Sequence, residues 1–538
     1  MAAFWVRYLC HASWRIRLRP QLAALRHLQA TTTAPLAASP RRGAGQIVLV
    51  VSYGDVAPAV LERVMLAGFE CAGYRPTVLV SHNWPVRKAY RWLGIDDFVS
   101  PAALAVPAPA GAAESISTFL HSQQALRDFE IDGVKVGTYA AATMMRLTRS
   151  GNIDLSDDRT RGRVAVALGE SLDALDLARA IFEQVRPGAI LLAENAYTPF
   201  GEIFDLAVVR GVPVFLWNTT QSPGTLSIKR FHAGNAREHP YAISPATWER
   251  ARTMQWTAAH ERRLFEAMDG AYASGQWFAS VGTQFDTRFY DRDGLAARLG
   301  LDPAKKTAVV FPHMFWDATF AWGEDLFDGY EDWFCRTLQT AAANGRLNWV
   351  IKVHPANRVK SARDGAQGEY SEMRAISRVL GTLPPHIRVI EPETDVNTLS
   401  VFALADYCLT VRGTVGIEAA CRGIRTLTAG TGRYDRRGFT TDFDQIDTYL
   451  TALARLHELP PMPSEQVELA RRFAYASFIG RSVPLESVDF AFRKDSTATM
   501  EASLRPTDRD ALLAAPDARR IGDWIASGAD DLVLDDAF

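Results

Sequence analysis

Short apolar runs alternate along this chain with segments in which apolar residues recur every three or four positions. The first run, Gln46 to Ser52 (QIVLVVS), is followed by a turn and then by helical spacing over Val56 to Met65. A second apolar run covers Thr77 to Val80. Continuous apolar runs are typical of strands buried on both faces of a sheet, so this stretch predicts a βαβ unit.

The same alternation continues through both halves of the chain. In the first half, strands are predicted at Ala189 to Ala193 and Val212 to Trp217, with a helix at Phe200 to Val209. The second half has five predicted strands separated by helical patterns. These strands are Thr307 to Phe311, Trp349 to Val353, Ile387 to Ile390, Tyr407 to Val411 and Thr426 to Thr428. Such spacing predicts parallel sheets covered by helices on both faces, with ligands at the carboxyl ends of the strands.

The 538 residues exceed what one hydrophobic core usually serves. We therefore predict an α/β fold with two Rossmann-like domains that face a central cleft. The predicted parts are a basic leader (1–44), a first domain on the acceptor side (45–300), a second domain that binds the donor nucleotide (301–440) and a helical C-terminal extension (441–538). The extension ends in an acidic tail that we expect to be solvated, comprising Asp530, Asp531, Asp535 and Asp536.

Charge and cysteine content narrow the function classes. The formal net charge is −2, so no global basic charge indicates a nucleic-acid partner. The five cysteines include no CxxC pair and mostly lie in apolar runs. This favours reduced thiols in a cytoplasmic protein over a disulfide framework or a zinc site.

The leader Met1 to Arg42 contains seven arginines and no acidic residue, interleaved with aromatic residues such as Trp5 and Trp14. Its apolar runs are shorter than the roughly 20 residues that span a bilayer, and it lacks the layout of a secretory signal. One interpretation is an amphipathic segment on an anionic membrane surface, which would place the protein at the inner face of the cytoplasmic membrane. A disordered leader is a second interpretation, and a mitochondrial presequence is a third.

Lys352 and His354 follow the strand WVI in the segment Lys352-Val353-His354-Pro355. Strand alternation puts the two side chains on the same side, and the proline ends the strand. A cation and an imidazole at the end of a parallel strand suit a phosphate or pyrophosphate. The alternative is a histidine that only caps the backbone.

The segment from Arg412 to Glu418 (RGTVGIE) follows the strand YCLTV. Gly413 and Gly416 would let the backbone approach a ligand closely. Thr414 is a plausible N-cap of a helix whose free N–H groups and dipole attract phosphate oxygens. Glu418, one turn into that helix, could accept hydrogen bonds from ribose hydroxyls. The alternative is an ordinary strand-to-helix turn with a capping-box glutamate.

Together, VIKVHP, VRGTVGIEAACRG and TLTAGTGRY resemble the bacterial capsule-polysaccharide biosynthesis family, which includes Kdo transferases and related GT-B glycosyltransferases. In that family a KxHP segment and an STvGlEAl-GkPv segment flank the donor nucleotide, and a tyrosine closes the next loop. The resemblance implies donor contacts by Lys352, His354, Thr414, Gly416 and Glu418, with Tyr434 nearby. Arg412-Gly413 stands where the family often has Asn-Ser.

Candidates for the chemical step lie at other strand ends. Asp317, in the loop Phe311 to Asp317, should face the interdomain cleft with His313, where either could meet donor or acceptor or simply cap the loop. Glu194 follows the strand AILLA on the acceptor side. It could act as general base to an acceptor hydroxyl, as the nucleophile of a retaining reaction, or as part of an Asn/Glu turn. Asp55, in the first strand's turn, is a further candidate.

We expect no metal and no cofactor. The DxD-like string Asp291-Arg292-Asp293 lies in the connector between the domains rather than at a strand end. Lys352, His354 and a helix N-terminus would instead stabilise the charge of the departing nucleotide, as in the GT-B enzymes that the chain resembles.

The expected function is transfer of a sugar from a nucleotide-activated donor to a surface or capsular polysaccharide or lipid-linked glycan. The resemblance favours a CMP-activated acidic sugar over a UDP-sugar. A polyol phosphotransferase that uses a CDP-linked donor is an alternative with the same fold. A non-catalytic scaffold of a polysaccharide-export complex is another.

Overall fold

Two sheets with the same order of parallel strands organise the protein. The computed structural model describes residues 12–32, 34–38, 46–52, 54–80, 83–104, 121–274, 287–492 and 500–538. Residues 1–11 of the predicted leader lie outside these ranges.

The first half of the chain supplies six strands, ten α-helices and the π-helix Ile181–Val185 to the described structure. The strands are β1 Ile47–Val51, β2 Arg75–Leu79, β3 Phe98–Val99, β4 Ala189–Leu192, β5 Val214–Thr219 and β6 Thr225–Phe231. The helices are α1 Ala12–Thr31, α2 Val56–Cys71, α3 Trp84–Trp92, α4 Pro101–Leu104, α5 Gln123–Arg127, α6 Val136–Thr148, α7 Asp158–Ala180, α8 Phe200–Val209, α9 Pro245–Thr253 and α10 Ala258–Ser274.

In the first sheet, β3, β2, β1, β4 and β5 are parallel neighbours in that order, and β6 adds to β5 in the antiparallel sense. Alternate residues of β1 enter different helical layers. Val48 and Val50 pack with α2, whereas Leu49 and Val51 pack with the layer of α6, α7 and α8. Burial on both faces explains why β1 is a continuous apolar run.

The second half repeats this arrangement. Its strands are β7 Thr307–Val310, β8 Asn348–Lys352, β9 Ile387–Ile390, β10 Tyr407–Thr410 and β11 Arg425–Thr428. Its helices are α11 Arg292–Leu299, α12 Tyr330–Ala343, α13 Ala356–Asp364, α14 Ser371–Leu380, α15 Thr398–Leu404 and α16 Thr414–Cys421. All five strands are parallel, in the order β9, β8, β7, β10, β11. The predicted fold of two Rossmann-like α/β domains is therefore confirmed.

The C-terminal region returns to both halves. It contains α17 Ile446–Ala454, α18 Ser464–Tyr475, β12 Val483–Pro484, β13 Val488–Phe492, β14 Met500–Leu504, α19 Arg509–Ala514 and α20 Pro516–Ser527. Helix α18 packs on α16, β12 pairs with β6 of the first sheet, and α20 lies along α2. The predicted helical extension is thus interrupted by strands, and the β13–β14 hairpin is antiparallel.

Asp531 corrects the expectation that the acidic tail is solvated. Its side chain is fully buried and pairs with Lys229 at 3.4 Å and Arg481 at 3.5 Å. It also accepts hydrogen bonds from the Ser244 N–H and the Thr247 hydroxyl, both at 2.7 Å. The nearby cations hold the pKa of Asp531 well below its usual value although burial opposes ionisation. A local excess of acidic residues could not reveal partners so distant in sequence.

The basic leader also has a defined structure where it is described. Helix α1 packs against α2, α3 and β14, with Leu25 and Leu28 buried. Of the sequence-based interpretations, disorder does not apply to Ala12–Thr31.

Candidate functional site

Both sheets reverse their strand order at one point, and loops there hold most of the predicted site residues. In each sheet the second and third strands are added on one side of the first strand, and the fourth and fifth are added on its other side. The order therefore reverses between β1 and β4 in the first sheet and between β7 and β10 in the second. Ligands of open α/β sheets bind at the carboxyl ends of such strands, because the adjacent loops diverge there. The loops after β7, β8 and β10 therefore define the candidate donor site, and those after β1 and β4 the candidate acceptor side.

Lys352, the last residue of β8, is a buried cation without a counter-ion. Its side chain is 3% exposed. No hydrogen bond or ion pair joins Nζ to any described residue, and burial alone lowers its pKa from 10.5 to about 8. At neutral pH the Lys352 side chain is thus a charged ammonium at the carboxyl ends of the parallel strands. A buried charge of this kind is stabilised when an anion binds to it.

His354 lies two residues further on and is exposed to solvent. Its Nδ1 accepts a hydrogen bond of 3.1 Å from the backbone N–H of Ala356, near the start of α13. Surrounding protein, with the Lys360 and Lys352 charges, lowers the pKa of His354 to about 4. The neutral ring therefore carries its proton on Nε2. The ring caps the backbone through Nδ1, which is one of the two roles considered from the sequence, and its Nε2–H is left as a donor.

The turn between β10 and α16 begins a helix at the same edge of the sheet. Gly413 is its N-cap residue, with an extended backbone and no side chain to cap the free N–H groups. The Tyr434 hydroxyl donates to the Gly413 carbonyl at 2.7 Å and closes the turn. A Cβ on Gly416 would lie 2.1 Å from that hydroxyl oxygen. Gly416 is thus required by the buried Tyr434, and the half-buried helix start remains available to phosphate oxygens.

Arg433 was not singled out from the sequence, although it immediately precedes Tyr434 in a loop that follows a strand. Its side chain is 7% exposed and lies 5.6 Å from the Tyr241 ring. It donates to the Arg412 carbonyl at 3.2 Å and to the Thr414 hydroxyl at 2.8 Å. No described carboxylate pairs with its guanidinium, its Nε has no described partner, and burial lowers its pKa. Arg433 thus adds a second buried positive charge beside the start of α16.

Arg412 itself is held by the loop that follows β7. It forms a buried ion pair with Asp325 and donates to the carbonyls of Trp322 and Glu324. Its guanidinium therefore has partners within the protein. This ion pair holds the loop against the end of β10.

Glu418 points into the interior. It is fully buried and accepts a hydrogen bond of 2.5 Å from the Tyr272 hydroxyl of α10. The structure therefore does not bring Glu418 to the open edge of the sheet, where a ribose contact was expected.

His313 lies in the β7 loop at the switch point. Its ring stacks on Tyr330 at 4.4 Å, and its Nε2 accepts a hydrogen bond of 3.3 Å from the Arg412 backbone N–H. Burial, with the Arg412 and His354 charges, lowers its pKa to about 3. His313 is therefore a neutral ring that orients the β10 turn.

Asp317 joins the two domains. Its Oδ2 accepts a hydrogen bond of 2.6 Å from Lys360 of α13, and its Oδ1 accepts from the Tyr197 hydroxyl at 3.2 Å and from Arg146 of α6 at 3.5 Å. Although burial raises the pKa of Asp317, the Lys360 and Arg146 charges hold it at about 2. Such a carboxylate is a weak base, and its contacts tie the β7 loop to the first domain.

Glu194, at the end of β4, has one constrained and one available carboxylate oxygen. Its Oε1 accepts the backbone N–H groups of Asn195 and Ala196, both at 2.8 Å. No described group bonds to Oε2, and the side chain is half-buried. Burial raises the pKa of Glu194 above its usual value, opposed by these N–H donors and by Arg146. Of the two candidate carboxylates, Glu194 has the geometry and basicity better suited to take a proton.

Asp55, the other acceptor-side candidate, is bound by Gln21 of α1, whose amide oxygen also accepts the Val56 N–H at 2.8 Å.

In the connector, Asp291 caps α11 by accepting the Gly294 N–H at 2.8 Å. Across the described ranges no group of three or more His, Cys, Asp or Glu side chains has metal-binding geometry. No described helix is both long and apolar enough to cross a membrane.

Comparison with known proteins yields only distant likenesses. No protein-family model and no curated protein sequence matches this chain. Among solved structures, a β-Kdo 2,4 transferase, KpsC of Thermosulfurimonas dismutans, is similar over 53% of this chain and 79% of its own, at 13% identity and a TM-score of 0.33. UDP-GlcNAc 2-epimerase from Neisseria meningitidis is similar over 80% and 98%, at 11% identity and a TM-score of 0.24. The rhamnosyltransferase SpnG is similar over 80% and 95%, at 13% identity and a TM-score of 0.25.

Proposed function

We propose that this protein is a glycosyltransferase that takes a sugar from a nucleotide-activated donor and transfers it to a glycan acceptor. The observation that carries the proposal is Lys352, a buried ammonium with no partner in the described structure, at the strand edge where an α/β sheet binds ligands. A buried, unpaired cation of this kind favours an anionic ligand.

The groups around Lys352 suit the phosphates of a nucleotide. The exposed His354 Nε2–H and the free N–H groups at the start of α16 are donors at the same edge. Because β7 separates β8 from β10, these groups lie on strands about 10 Å apart. Arg433 adds positive charge behind the helix start. Together they would stabilise the negative charge that develops on the departing nucleotide, a role that requires no metal ion.

Glu194 is the proposed general base. Its Oε1 is fixed by two backbone N–H groups, which leaves Oε2 to accept the proton of an acceptor hydroxyl. The raised pKa of Glu194 brings the carboxylate closer to the pH at which a base works best. Asp317, with a pKa of about 2, would instead hold the two domains in register.

The finer assignment rests on the motifs alone. VIKVHP and RGTVGIE resemble segments of capsule-polysaccharide transferases, which favours a CMP-activated acidic sugar as donor and a surface polysaccharide or lipid-linked glycan as acceptor. Such an enzyme would act at the cytoplasmic face of the inner membrane.

A nucleotide screen followed by a product assay tests this proposal. CMP, CDP, UDP and GDP are each added to the purified protein, and a ligand that binds the folded state should raise the unfolding midpoint. The matching nucleotide sugars are then incubated with acceptor glycan and the products weighed by mass spectrometry. A sugar increment supports the proposal. A phosphate-containing increment would assign a polyol phosphotransferase, and no response to any nucleotide would leave a non-catalytic scaffold.

The same assay tests the metal-independent chemistry. We expect turnover to be unchanged by EDTA, since the cations of the site are side chains. Loss of turnover in EDTA and its recovery with Mg²⁺ would refute that part of the proposal.

A further inference from the structure

Helix α3 presents an amphipathic outer stripe. Trp84 is 49% exposed, and Lys88 and Arg91 follow it at spacings of four and three residues on the exposed side. Arg87, between them, is half-buried and lies 4.9 Å from the Phe98 ring. The exposed side of α3 thus combines one tryptophan with two cations.

These cations have no carboxylate partners. The sequence of α3 (WPVRKAYRW) contains no acidic residue, and no ion pair joins Arg87, Lys88 or Arg91 to the rest of the described protein. The nearby Asp97 is engaged by Arg75 at 3.2 Å and by Thr77 at 2.9 Å. The positive charge of α3 is therefore uncompensated.

Helix α1, which is packed beside α3, carries further exposed cations. It packs against α3 through its apolar side, while Arg19, Arg26 and His27 are exposed. Residues 1–42 contain no acidic residue at all. We call the following side chains of the two helices, all exposed except the half-buried Arg87, the α1–α3 surface: Arg19, Arg26, Trp84, Arg87, Lys88 and Arg91.

The α1–α3 surface borders the acceptor-side edge of the first sheet. Gln21 of α1 binds Asp55 and the Val56 N–H, directly after β1. Asn83, which precedes α3, donates to the Gly54 carbonyl at 2.7 Å. Both helices are thereby attached at the carboxyl end of β1, the neighbour of the strand that carries Glu194.

We propose that the α1–α3 surface docks the protein on a bilayer through anionic lipid headgroups. Cations next to an anionic membrane each strengthen binding about fivefold, and tryptophan partitions into the headgroup region, where its ring is half in contact with acyl chains. The docking stands on these charges and on Trp84. Its consequence, that the cleft receives an acceptor glycan carried on a lipid, rests on the proposed function.

Vesicle flotation tests the proposal with the full chain. The protein is mixed with vesicles of phosphatidylcholine alone or with 30% phosphatidylglycerol, a fraction of about one anionic lipid in three, at two salt concentrations. We expect binding only to the anionic vesicles, and weaker binding at high salt because exposed charges are screened. Equal binding to both vesicle types, or none to either, would overturn the proposal.

Charge-reversal variants test whether the α1–α3 surface is the part of the protein that binds the vesicles. In the double variant K88E/R91E both exposed cations become anions, and we expect vesicle binding to fall at least tenfold. The matched control is R159E/R163E, with the same charge change on exposed residues of α7, whose core side packs on the other face of the first sheet. We expect the control to bind like the wild type. Equal losses in both variants would show a non-specific charge effect and refute the assigned surface.

Two further measurements separate the outcomes. W84A should lose binding without any change in net charge, so unchanged binding of W84A would overturn the role of the tryptophan. A soluble acidic polysaccharide that binds while anionic vesicles do not would assign the surface to a glycan instead. Because the nucleotide-induced rise in unfolding midpoint should be intact in K88E/R91E, failure of docking and failure of the proposed function are distinguishable.

Discussion

Replacement of Lys352 by methionine should stabilise the protein while removing nucleotide binding. Lys352 is buried and its ammonium has no partner in the described structure. Methionine has nearly the same length and no charge, so K352M removes an uncompensated cation without opening a cavity. A residue kept at a cost in stability is what a ligand-binding role predicts.

The magnitude follows from the pKa. Burial lowers the pKa of Lys352 from 10.5 to about 8. At 1.36 kcal/mol for each pH unit between these values, the charged side chain costs the folded state about 3 kcal/mol at neutral pH. We therefore expect K352M to raise the free energy of unfolding at pH 7 by up to about 3 kcal/mol.

The stability cost of the charged Lys352 side chain depends on pH, and the direction of that dependence follows from the lowered pKa. Below pH 8 the side chain is charged in both states and the cost is fully present. Between pH 8 and 10.5 the folded protein has released this proton while the unfolded chain still holds it, so the cost declines. The stability difference between K352M and the wild type should shrink over this range and vanish above it.

Lys229 provides the control. It is also fully buried, but its Nζ pairs with Glu238 at 2.8 Å and with Asp531 at 3.4 Å. The same substitution, K229M, removes a buried cation from the carboxylates of Glu238 and Asp531 and should destabilise the protein by about 3 kcal/mol. Urea unfolding at pH 7 and pH 10 measures both effects, and calorimetric titration with nucleotide measures binding. The reasoning is refuted if K352M destabilises the protein as K229M does, or if it still binds nucleotide.

Three further predictions test other parts of the site. G416A should destabilise the protein by about 1–3 kcal/mol and weaken nucleotide binding, because its Cβ would lie 2.1 Å from the Tyr434 hydroxyl oxygen. The control is G162A, in which the new Cβ of a helical residue meets nothing within 4 Å. The unfolding midpoint of G162A should rise. E194Q should lower kcat by about 10²- to 10⁴-fold with nucleotide affinity intact, as measured by steady-state kinetics and titration; wild-type kcat would exclude Glu194 as the base. D531N should destabilise the protein by about 3–5 kcal/mol at pH 7. Because the pKa of Asp531 is lowered on folding, the difference in free energy of unfolding between D531N and the wild type, measured with urea, should shrink below pH 4. A difference that stays constant with pH would contradict the ion-pair explanation.

Local pattern was sufficient to place several strands and helices of the two α/β domains. The predicted strand Ile387 to Ile390 and the predicted helix Phe200 to Val209 have the same bounds in the structure. The antiparallel strands β6, β12, β13 and β14 were not predicted. The segment Thr225–Phe231 places Lys229 and Arg230 among apolar residues, and the buried Lys229 is neutralised by Glu238 and by Asp531, which lies some 300 residues away in sequence. Periodicity cannot supply such a partner.

The loops that form the candidate site could be predicted from the sequence. The hydrogen bonds and ion pairs of the residues in those loops could not. Sequence alternation predicted that Lys352 and Thr414 follow adjacent strands. In the sheet both lie at the carboxyl ends of their strands, but β7 stands between β8 and β10. The sequence could not show that Arg412 is bound by Asp325, or that Glu418 is bound by Tyr272. Each partner belongs to another segment of the chain, so only tertiary packing decides which charged residues remain available to a ligand.

The return of the chain to the first sheet has a consequence for biosynthesis. Strand β12 covers the outer edge of β6, and α20 covers the apolar side of α2, yet both are translated after the entire second domain. While the ribosome is still making the second domain, the first would expose an open strand edge and an uncovered apolar helix, features that promote aggregation. Fragments that stop near residue 300 should therefore need a chaperone, or the C-terminal segment supplied in trans, to remain monomeric.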